Sequence, residues 1–386
     1  MMLLNKLKRI DWAIVGILFV LMAASTFIVY SAVHGTRFEG THVRHLFFYG
    51  LGFFVLLGAS LVNYRLLIKY STVFYVLGVG SLVAVYFFGA VINGARGWFI
   101  IPGIEQSVQP AEFAKLFIIL MVAYVLARKA GEPLQLLRDV IPVGLIVFIP
   151  FVWVVIQPDL GNAIIYVVIL VGMLWIANVK YLHVLLGIAI AAGGVYGGMQ
   201  LIDAYHDPIE RFLEGQGADH WMDRIDAFLY PEQATANDTW QIDNSVMAIG
   251  SGALFGEGYM QGTSVHTGRV PYTYSDSIFV VVGEEFGFMG ASALLLLYFL
   301  LIYRLILISI QSGEAGGSYV IIGIVSMFVF QIFQNIGMFI GILPLTGITL
   351  PFVSYGGSSL LINMLSVGLA LSIRVHADQP LEDDMN

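Results

Sequence analysis

The sequence predicts an all-α polytopic membrane protein with about ten transmembrane helices and one large extracellular loop between the seventh and the eighth helix. Of its 386 residues, 58% are hydrophobic and only 11% are charged, whereas an ordinary soluble domain carries about 25% charged residues. A helix needs roughly 20 mostly apolar residues to span a bilayer, and ten such runs follow one another along the chain. An even number of spans places both ends of the chain on one side of the membrane.

The ten apolar runs are separated by short polar connections and by one long segment. The runs cover residues 12–33, 46–62, 72–92, 111–128, 140–156, 160–177, 181–202, 277–303, 318–341 and 355–373. Residues 203–276 form the large extracellular loop, in which apolar side chains recur at helical spacing at Trp221, Met222, Ile225, Phe228 and Leu229. That pattern predicts an amphipathic helix on the membrane surface. The whole chain, 1–386, is predicted to be one integral membrane domain.

The distribution of basic residues predicts the orientation. Eleven of the 18 Lys and Arg residues fall in connections on the side of the two termini, and six fall on the other side. Because short cytoplasmic loops carry the excess of Lys and Arg, we expect both termini to be cytoplasmic, including a short tail at 375–386. The first run is expected to be an anchor helix of a multi-pass membrane protein rather than a cleaved signal peptide.

Charge and composition argue against several functions. Residues 203–276 hold twelve acidic and three basic residues, and so negative a segment argues against nucleic-acid binding. The run IGSGALFGEGYMQG lacks the GK[ST] ending of a phosphate-binding loop and has no strand before it, so we expect no nucleotide cofactor and a re-entrant or surface-hugging turn. The chain has no cysteine, which excludes disulfides and thiolate metal sites.

Charged residues at the membrane boundary are the candidate functional groups, since ionised side chains inside a membrane are costly. Asp276 stands where the polar loop meets the eighth apolar run, and Glu284 and Glu285 lie two turns further in. Asp276 can serve a reaction, or it can cap the helix in the company of Ser275 and Ser277. These residues alone leave both interpretations open.

Two further stretches place polar groups at the same boundary. In VINGARGWFIIPGIEQSVQPAEFAK the glycines and prolines predict tight turns, and Trp98 has the amphipathic ring of a membrane-interface residue. Glu112 and Lys115 are three residues apart on one helical face and can pair, either as a structural salt bridge or as substrate or proton groups. Asp159 in QPDLG can cap the next helix, but it also lies at the depth of Asp276.

The chain between the ninth and tenth runs is predicted to be a broken segment. The prolines and glycines of ILPLTGITLPFVSYGGSS forbid a regular helix. Such a segment at membrane depth either packs against its neighbours or lines a cavity. Gln331, Gln334 and Asn335 precede it and can hydrogen-bond to neighbouring helices.

Five motifs, in this order, resemble those of one family. They are GARGWFIIPG followed by QPAEFAK, then QPDLG, AIGSGALFGEGYMQG, YSDSIFVVVGEEFGF and NIGMFIGILPLTGITLPFVSYGGSS. Through them the chain is similar, over nearly its whole length, to the shape, elongation, division and sporulation (SEDS) family of RodA, FtsW and SpoVE proteins. The WFIIPG turn and the short cytoplasmic ends make it most similar to RodA, the elongation member.

The resemblance implies a peptidoglycan glycosyltransferase that polymerises lipid II, a disaccharide peptide on undecaprenyl pyrophosphate, at the outer face of the bacterial cytoplasmic membrane during elongation and shape maintenance. It implies a class B penicillin-binding protein and other elongation-complex membrane proteins as partners. Asp276 corresponds to the family's essential aspartate, and Trp98, Glu112 and Lys115 fall on other sensitive positions. The family often has Ser where this chain has Ala111, which offers no hydroxyl.

The implied chemistry gives these residues expected roles. A sugar hydroxyl is a poor nucleophile, so a carboxylate general base, worth roughly 10²- to 10⁴-fold in rate, is expected at Asp276, and a single displacement predicts inversion at the sugar. The leaving pyrophosphate needs cations, which Mg²⁺ or Mn²⁺ can supplement, although the sequence specifies no metal ligands. Substrate contacts are expected at Trp98, Arg96, Glu112, Lys115, Asp159, Arg269, Glu284, Glu285 and Ser358, the basic residues among them facing the pyrophosphate.

Three other functions stay open at this point. The same helices could flip lipid II across the membrane, although a carrier more often shows repeat symmetry and a charge at mid-membrane. The protein could serve division or sporulation instead of elongation. It could also be a scaffold that only positions a penicillin-binding protein, but a scaffold has no need for charges within the membrane.

Overall fold

The computed structural model describes residues 2–92, 95–101, 106–129, 131–215 and 236–377. Helices dominate these ranges. They are α1 Met2–Arg9, α2 Trp12–Val33, α3 Thr41–Leu61, α4 Tyr64–Lys69, α5 Ser71–Phe88, α6 Pro110–Ala127, α7 Ile141–Ile156 (preceded by a π-helical turn, Leu136–Val140), α8 Leu160–Ile176, α9 Tyr181–Ala204, α10 His206–Gly215, α11 Ala236–Ser251, α12 Thr263–His266, α13 Ile278–Gln311, α14 Ala315–Phe339 and α15 Gly357–His376. The amphipathic helix predicted around 221–229 lies outside the described residues.

The predicted fold class is confirmed. Within the described ranges, nine helices are long and apolar enough to cross a membrane, and α8 is a shorter apolar helix in the place of the sixth predicted span. Large apolar side chains such as Phe54, Phe88 and Phe299 are exposed on the outside of the bundle, as expected of a surface that faces lipid. The chain is therefore an all-α polytopic membrane protein.

The third span ends earlier than predicted. The apolar run continues to residue 92, but α5 ends at Phe88, and the chain enters a three-stranded antiparallel sheet of β1 Ala90–Ile92, β2 Ala95–Ile101 and β3 Gln106–Val108. Hydropathy alone does not distinguish the end of the helix from the strand that follows, because the apolar residues Ala90–Ile92 are compatible with both. The sheet pairs Trp98 with Ala90 and leads into Pro110, which opens α6 as predicted.

The eighth span continues further than predicted, to Gln311 rather than to residue 303. The apolar run ends in the sequence before the charged residue Arg304. In the structure the helix continues past Arg304, because Asp11 pairs with its guanidinium. Arg304 Nη2 donates to Asp11 Oδ1 at 2.7 Å, and Arg374 Nη1 donates to Asp11 Oδ2 at 2.6 Å. This Asp11 cluster ties α2, α13 and α15 together at the end of the bundle that carries α1.

Three helices form the centre of the bundle. In α6, α14 and α15, 67%, 61% and 78% of the most apolar stretch is buried, against 33% or less in α2, α3 and α5. The buried polar residues Glu112, Lys115, Gln331 and Asn335 lie on α6 and α14. Polar groups inside a membrane protein are thus placed against protein rather than against lipid.

α15 and α3 approach each other to backbone contact. A Cβ on Gly368 would lie 2.6 Å from the carbonyl oxygen of Leu56, so a larger residue does not fit there. Small residues at such crossings let membrane helices pack closely. The contact packs α15 closely against α3, and these two helices supply Ser358 and Arg44 to the cavity described next.

Candidate active site

A cavity of about 630 Å³ opens at the end of the bundle opposite the Asp11 cluster. Its wall combines α3, strand β2 and the linker into α6, the head of α8, the turn before α13, and the segment between α14 and α15. Five of the predicted site residues line it, namely Trp98, Glu112, Asp159, Asp276 and Ser358. Residues that are distant in sequence and belong to four of the five family-like motifs therefore meet in one place.

Asp276 is the half-buried residue just before the N-cap of α13. The N-cap is Ser277, whose Oγ donates to the carbonyl oxygen of Pro271 at 2.8 Å, so Asp276 does not occupy the capping position. Asn335 Nδ2 donates to the backbone oxygens of Asp276, at 2.8 Å, and Ile348, at 2.7 Å. One buried amide of α14 thus holds the Asp276 backbone against the floor of the cavity.

The floor is the predicted broken segment between α14 and α15, which has no regular helix from residue 340 to 356. Three consecutive carbonyl oxygens, of residues 351–353, accept hydroxyl protons from Tyr298, Tyr49 and Ser25. Residues 346–349 line the cavity. The segment therefore does both things expected of it, because it packs against α2, α3 and α13 on one side and borders the cavity on the other.

Glu112 and Lys115 form the predicted pair on α6. Lys115 Nζ donates to Glu112 Oε1 at 2.7 Å, and Lys115 is fully buried. Glu112 Oε2 has no hydrogen-bond partner among the described residues, although Glu112 lines the cavity. The pair is therefore a buried salt bridge in which one carboxylate oxygen of Glu112 has no donor within the part of the chain that the structure describes.

Asp159 caps α8, as predicted, and also lines the cavity. Its Oδ1 accepts from the Asn162 N–H at 3.1 Å, and its Oδ2 accepts from Asn162 Nδ2 at 2.8 Å and Gln109 Nε2 at 2.7 Å. Burial raises the pKa of the Asp159 carboxyl, and the bonds from Asn162 offset this only in part. Ser358 Oγ accepts from the Gln109 N–H at 3.3 Å and donates to the Ser107 carbonyl at 3.1 Å, which joins the head of α15 to the same wall.

The structure adds lining residues that sequence reasoning missed. These residues are Arg44 of α3 and the three tyrosines Tyr272, Tyr274 and Tyr355. Arg44 belongs to no motif used above, and the span was predicted to begin after it. The sequence shows Arg44 only as a basic residue just before an apolar run. Such a position is more typical of a surface turn than of a binding site.

The remaining predicted site residues do not border the cavity as the described residues form it. Lys115 lies behind Glu112. Arg96 and Arg269 are exposed, Arg96 on β2 and Arg269 in the loop before α13. Glu284 and Glu285 are buried and contact other parts of the protein, so their substrate contacts stay predictions.

Glu284 and Glu285 fasten the loop before α13 to the bundle. Glu284 Oε1 and Oε2 accept from the backbone N–H groups of Ser264, at 2.6 Å, and Val265, at 3.0 Å. Glu285 Oε1 accepts from Ser31 Oγ at 2.6 Å and lies 3.4 Å from His266 Nε2. Each carboxylate thus binds polar groups of the protein itself.

The glycine-rich run predicted to be a turn packs on the same helix. α13 is interrupted at Gly287, where φ is +62°. The carbonyls of Glu284 and Glu285 accept from the N–H groups of Glu257 and Gly258 at 2.9 and 3.1 Å, and the two amides after Gly287 donate back to carbonyls of the run. The run therefore supplies the backbone hydrogen bonds that the interrupted helix loses.

The described residues contain no group of three His, Cys, Asp or Glu side chains placed to hold a metal ion. The carboxylates of Glu112 and Asp159 already accept bonds from Lys115, Gln109 and Asn162. Hard divalent cations need several oxygen ligands, so this donor set does not fit a metal site built by the protein alone.

Comparisons with known proteins agree with the motifs. The family model described as "Cell cycle protein", which covers FtsW, RodA and SpoVE proteins, matches residues 6–379. Stage V sporulation protein E of Bacillus subtilis is 34% identical over 333 residues, which cover 86% of this chain and 86% of that protein. Peptidoglycan glycosyltransferase MrdB of Escherichia coli is 31% identical over 368 residues, which cover 95% of this chain and 94% of that protein.

A solved structure shows the same fold. It is described as the structural coordination of polymerization and crosslinking by a peptidoglycan synthase complex, and its matching chain has a TM-score of 0.78 at 24% identity. The match covers 96% of this chain and 99% of that chain. With the motifs, the family model and the relatives in agreement, the chain belongs to the FtsW, RodA and SpoVE family of cell cycle proteins.

Proposed function

We propose that the chain is a peptidoglycan glycosyltransferase that polymerises lipid II at the outer face of the bacterial cytoplasmic membrane. The observation that carries the proposal is the position of Asp276 in a polar cavity that it shares with Glu112, Asp159 and Arg44. The Escherichia coli relative is named a peptidoglycan glycosyltransferase, which supports the same activity here.

In the proposed reaction Asp276 is the general base. The acceptor sugar hydroxyl attacks the anomeric carbon of the donor, the new C–O bond forms opposite the pyrophosphate, and the bond from that carbon to the pyrophosphate oxygen breaks. The hydroxyl proton passes to the Asp276 carboxylate. One displacement inverts the anomeric carbon, and a positioned base contributes roughly 10²- to 10⁴-fold to the rate.

The leaving pyrophosphate gathers negative charge, and Arg44 is our candidate to bind it. Arg44 lines the cavity, and a guanidinium presents a planar fork of donors that fits phosphate oxygens. Lys115 is bonded to Glu112, so its charge would act through the pair. Arg96 and Arg269 are exposed and lie outside the cavity wall, so in this proposal they contact the pyrophosphate only at the rim of the cavity.

A divalent cation belongs to the proposal only as a companion of the substrate. Since the protein carboxylates do not form a ligand set, Mg²⁺ or Mn²⁺ would be held mainly by pyrophosphate oxygens, and no step above depends on it. Exhaustive chelation tests this, because unchanged polymer formation would remove the cation from the reaction.

The orientation in the membrane and the partners are also part of the proposal. The excess of basic residues on the side of the termini supports cytoplasmic termini and an outward cavity. The solved complex couples polymerization with crosslinking by its description, which supports a class B penicillin-binding protein as a partner here. The motif pattern supports a role in elongation with other membrane proteins of that machinery, and division and sporulation are the alternatives.

The test is polymerisation of lipid II by purified protein, with and without the partner. Asp276→Ala should abolish glycan strands while thermal unfolding stays unchanged, and undiminished polymer would exclude the catalytic role. Asp243→Ala is a matched control, because Asp243 is an exposed carboxylate on α11 and should polymerise like the parent. A parent protein that moves labelled lipid II between leaflets without making strands would be a flippase instead.

A further inference from the structure

A row of aromatic rings leads out of the cavity. The ring centroids of Phe38 and Tyr274 lie 4.7 Å apart, and those of Tyr274 and Tyr355 lie 6.1 Å apart. Arg37 places its guanidinium 4.7 Å from the centroid of the Phe38 ring. We call Phe38, Tyr272, Tyr274 and Tyr355 the aromatic shelf.

The shelf is continuous with the cavity at one end and with the molecular surface at the other. Tyr272, Tyr274 and Tyr355 line the cavity, whereas Phe38 lies in the connection between α2 and α3, next to the exposed Arg37. Tyr272 and Tyr274 precede Asp276 by four and two residues. A ligand on the shelf would therefore extend from the proposed base toward the outside.

The shelf is held in place by the backbone. Tyr355 N–H donates to the Tyr274 carbonyl at 3.0 Å, and the Tyr272 carbonyl accepts from Ser275 N–H at 2.9 Å. Tyr272 has a φ of +54°, which a non-glycine residue seldom adopts and which is found most often at functional sites. Tyr272 is 43% exposed.

Aromatic rings beside polar groups suit a saccharide. A sugar ring offers an apolar C–H face that can pack on an aromatic ring, while its hydroxyl edge stays with polar partners, and pockets for such ligands combine aromatic walls with a few polar groups. Aromatic residues of a membrane belt also have this character. Belt residues face lipid, however, whereas three of these four line a cavity with charged residues.

We propose that the aromatic shelf binds the saccharide of the acceptor glycan strand and guides that strand out of the cavity over Phe38. The proposal rests on the proposed function, since it names the binding site of one of the two substrates. A strand seated there has its reacting hydroxyl near Asp276 and its older sugars over Phe38.

The test compares strand length in Phe38→Ala with that in Phe27→Ala. Phe27 is an exposed residue of α2 whose ring centroid lies 6.3 Å from that of Tyr259. It does not border the cavity formed by the described residues. Loss of an aromatic contact is worth about two- to tenfold in affinity, so mean strand length should fall by about that factor in Phe38→Ala and stay at the parent value in Phe27→Ala. Equal strand lengths in the two variants would overturn the proposal.

A second measurement separates this proposal from the proposed function. Binding of a soluble, lipid-free oligosaccharide of N-acetylated sugars is followed by saturation-transfer NMR. Binding to the parent that weakens in Phe38→Ala, but not in the control variant Phe27→Ala, supports the shelf even if the parent makes no polymer. No binding to the parent, or a change only in affinity for lipid vesicles, overturns it. If Phe38→Ala does not fold, Phe38→Leu replaces it with the same expected results.

Discussion

Asp276 and Glu284 stand eight residues apart at the head of α13, yet Asp276 borders the cavity and Glu284 lies outside it. At Asp276 the bond from Asn335 reaches the backbone oxygen. At Glu284 the side chain itself accepts two backbone N–H bonds, from Ser264 and Val265. A buried carboxylate with such donors is a structural group, since its charge is satisfied by the protein. A charge in an apolar run therefore indicates function only once its partners are known.

The largest expected effect is on catalysis at Asp276. Asp276→Asn keeps the shape of the side chain and removes its ability to take a proton. Polymerisation of lipid II should fall by roughly 10²- to 10⁴-fold with no comparable loss of thermal stability. If thermal stability falls while the folded protein that remains has normal activity, Asp276 has a structural role like that of Glu284. The proposed difference between the two carboxylates would then be wrong.

Glu112 lies between the two cases, because it borders the cavity and is also paired. Lys115→Met should cost about 3–5 kcal/mol of stability, since it leaves a buried carboxylate without its cation. The double variant Glu112→Gln, Lys115→Met should recover much of that loss by thermal unfolding. If the double variant also polymerises lipid II at the parent rate, the pair is purely structural.

Glu284→Gln tests the structural side of the comparison. An amide can accept one of the two N–H bonds, but its NH₂ group faces the other, so about 1.5–3 kcal/mol of stability should be lost. The short helix α12, at residues 263–266, should become more accessible in hydrogen exchange. Glu257→Gln is the control in the loop before α12, since Glu257 accepts from Thr263 at a more open position, and its effect should be smaller. Equal effects would contradict a special role for Glu284.

The smallest expected effect is a pH dependence at Asp159. Because burial raises its pKa in the folded protein, the folded state holds the Asp159 proton more tightly than the unfolded state. The resulting stabilisation is present below the unfolded pKa, about 3.9, and is lost as pH rises through the folded value. Asp159→Asn, which still caps a helix, should therefore gain stability relative to the parent between about pH 4 and pH 7. A difference in melting temperature between Asp159→Asn and the parent that stays constant over this pH range would contradict the prediction.

Local patterns predicted much of this molecule. Ten apolar runs gave the spans because the bilayer sets their length. The spacing of Glu112 and Lys115 gave their pair, and the position of Asp159 after a proline gave the cap. In the pair and in the cap, the two interacting residues lie within four residues of each other. A short stretch of sequence therefore contains both partners.

The parts that were missed depend on partners distant in sequence. Arg44 reaches the cavity only because α3 packs on α15, more than 300 residues later. The contacts of Glu284 and Glu285 come from the loop and from α2. The short strands of the sheet are apolar like the helix before them, so their pairing, rather than their composition, distinguishes them. Gly287 interrupts α13 because another loop supplies its hydrogen bonds, which no local pattern reveals.

The carbonyls of residues 351–353 also constrain how the protein is assembled. Their donors Ser25 and Tyr49 are synthesised at the beginning of the chain, and Tyr298 comes some 270 residues after Ser25. Unpaired backbone groups are costly in a membrane, so the segment can settle only when the early helices have remained close to the place where the late ones insert. The cavity floor therefore forms only after α13 has inserted and packed beside α2 and α3. A partly inserted chain has no complete cavity in which to bind substrate.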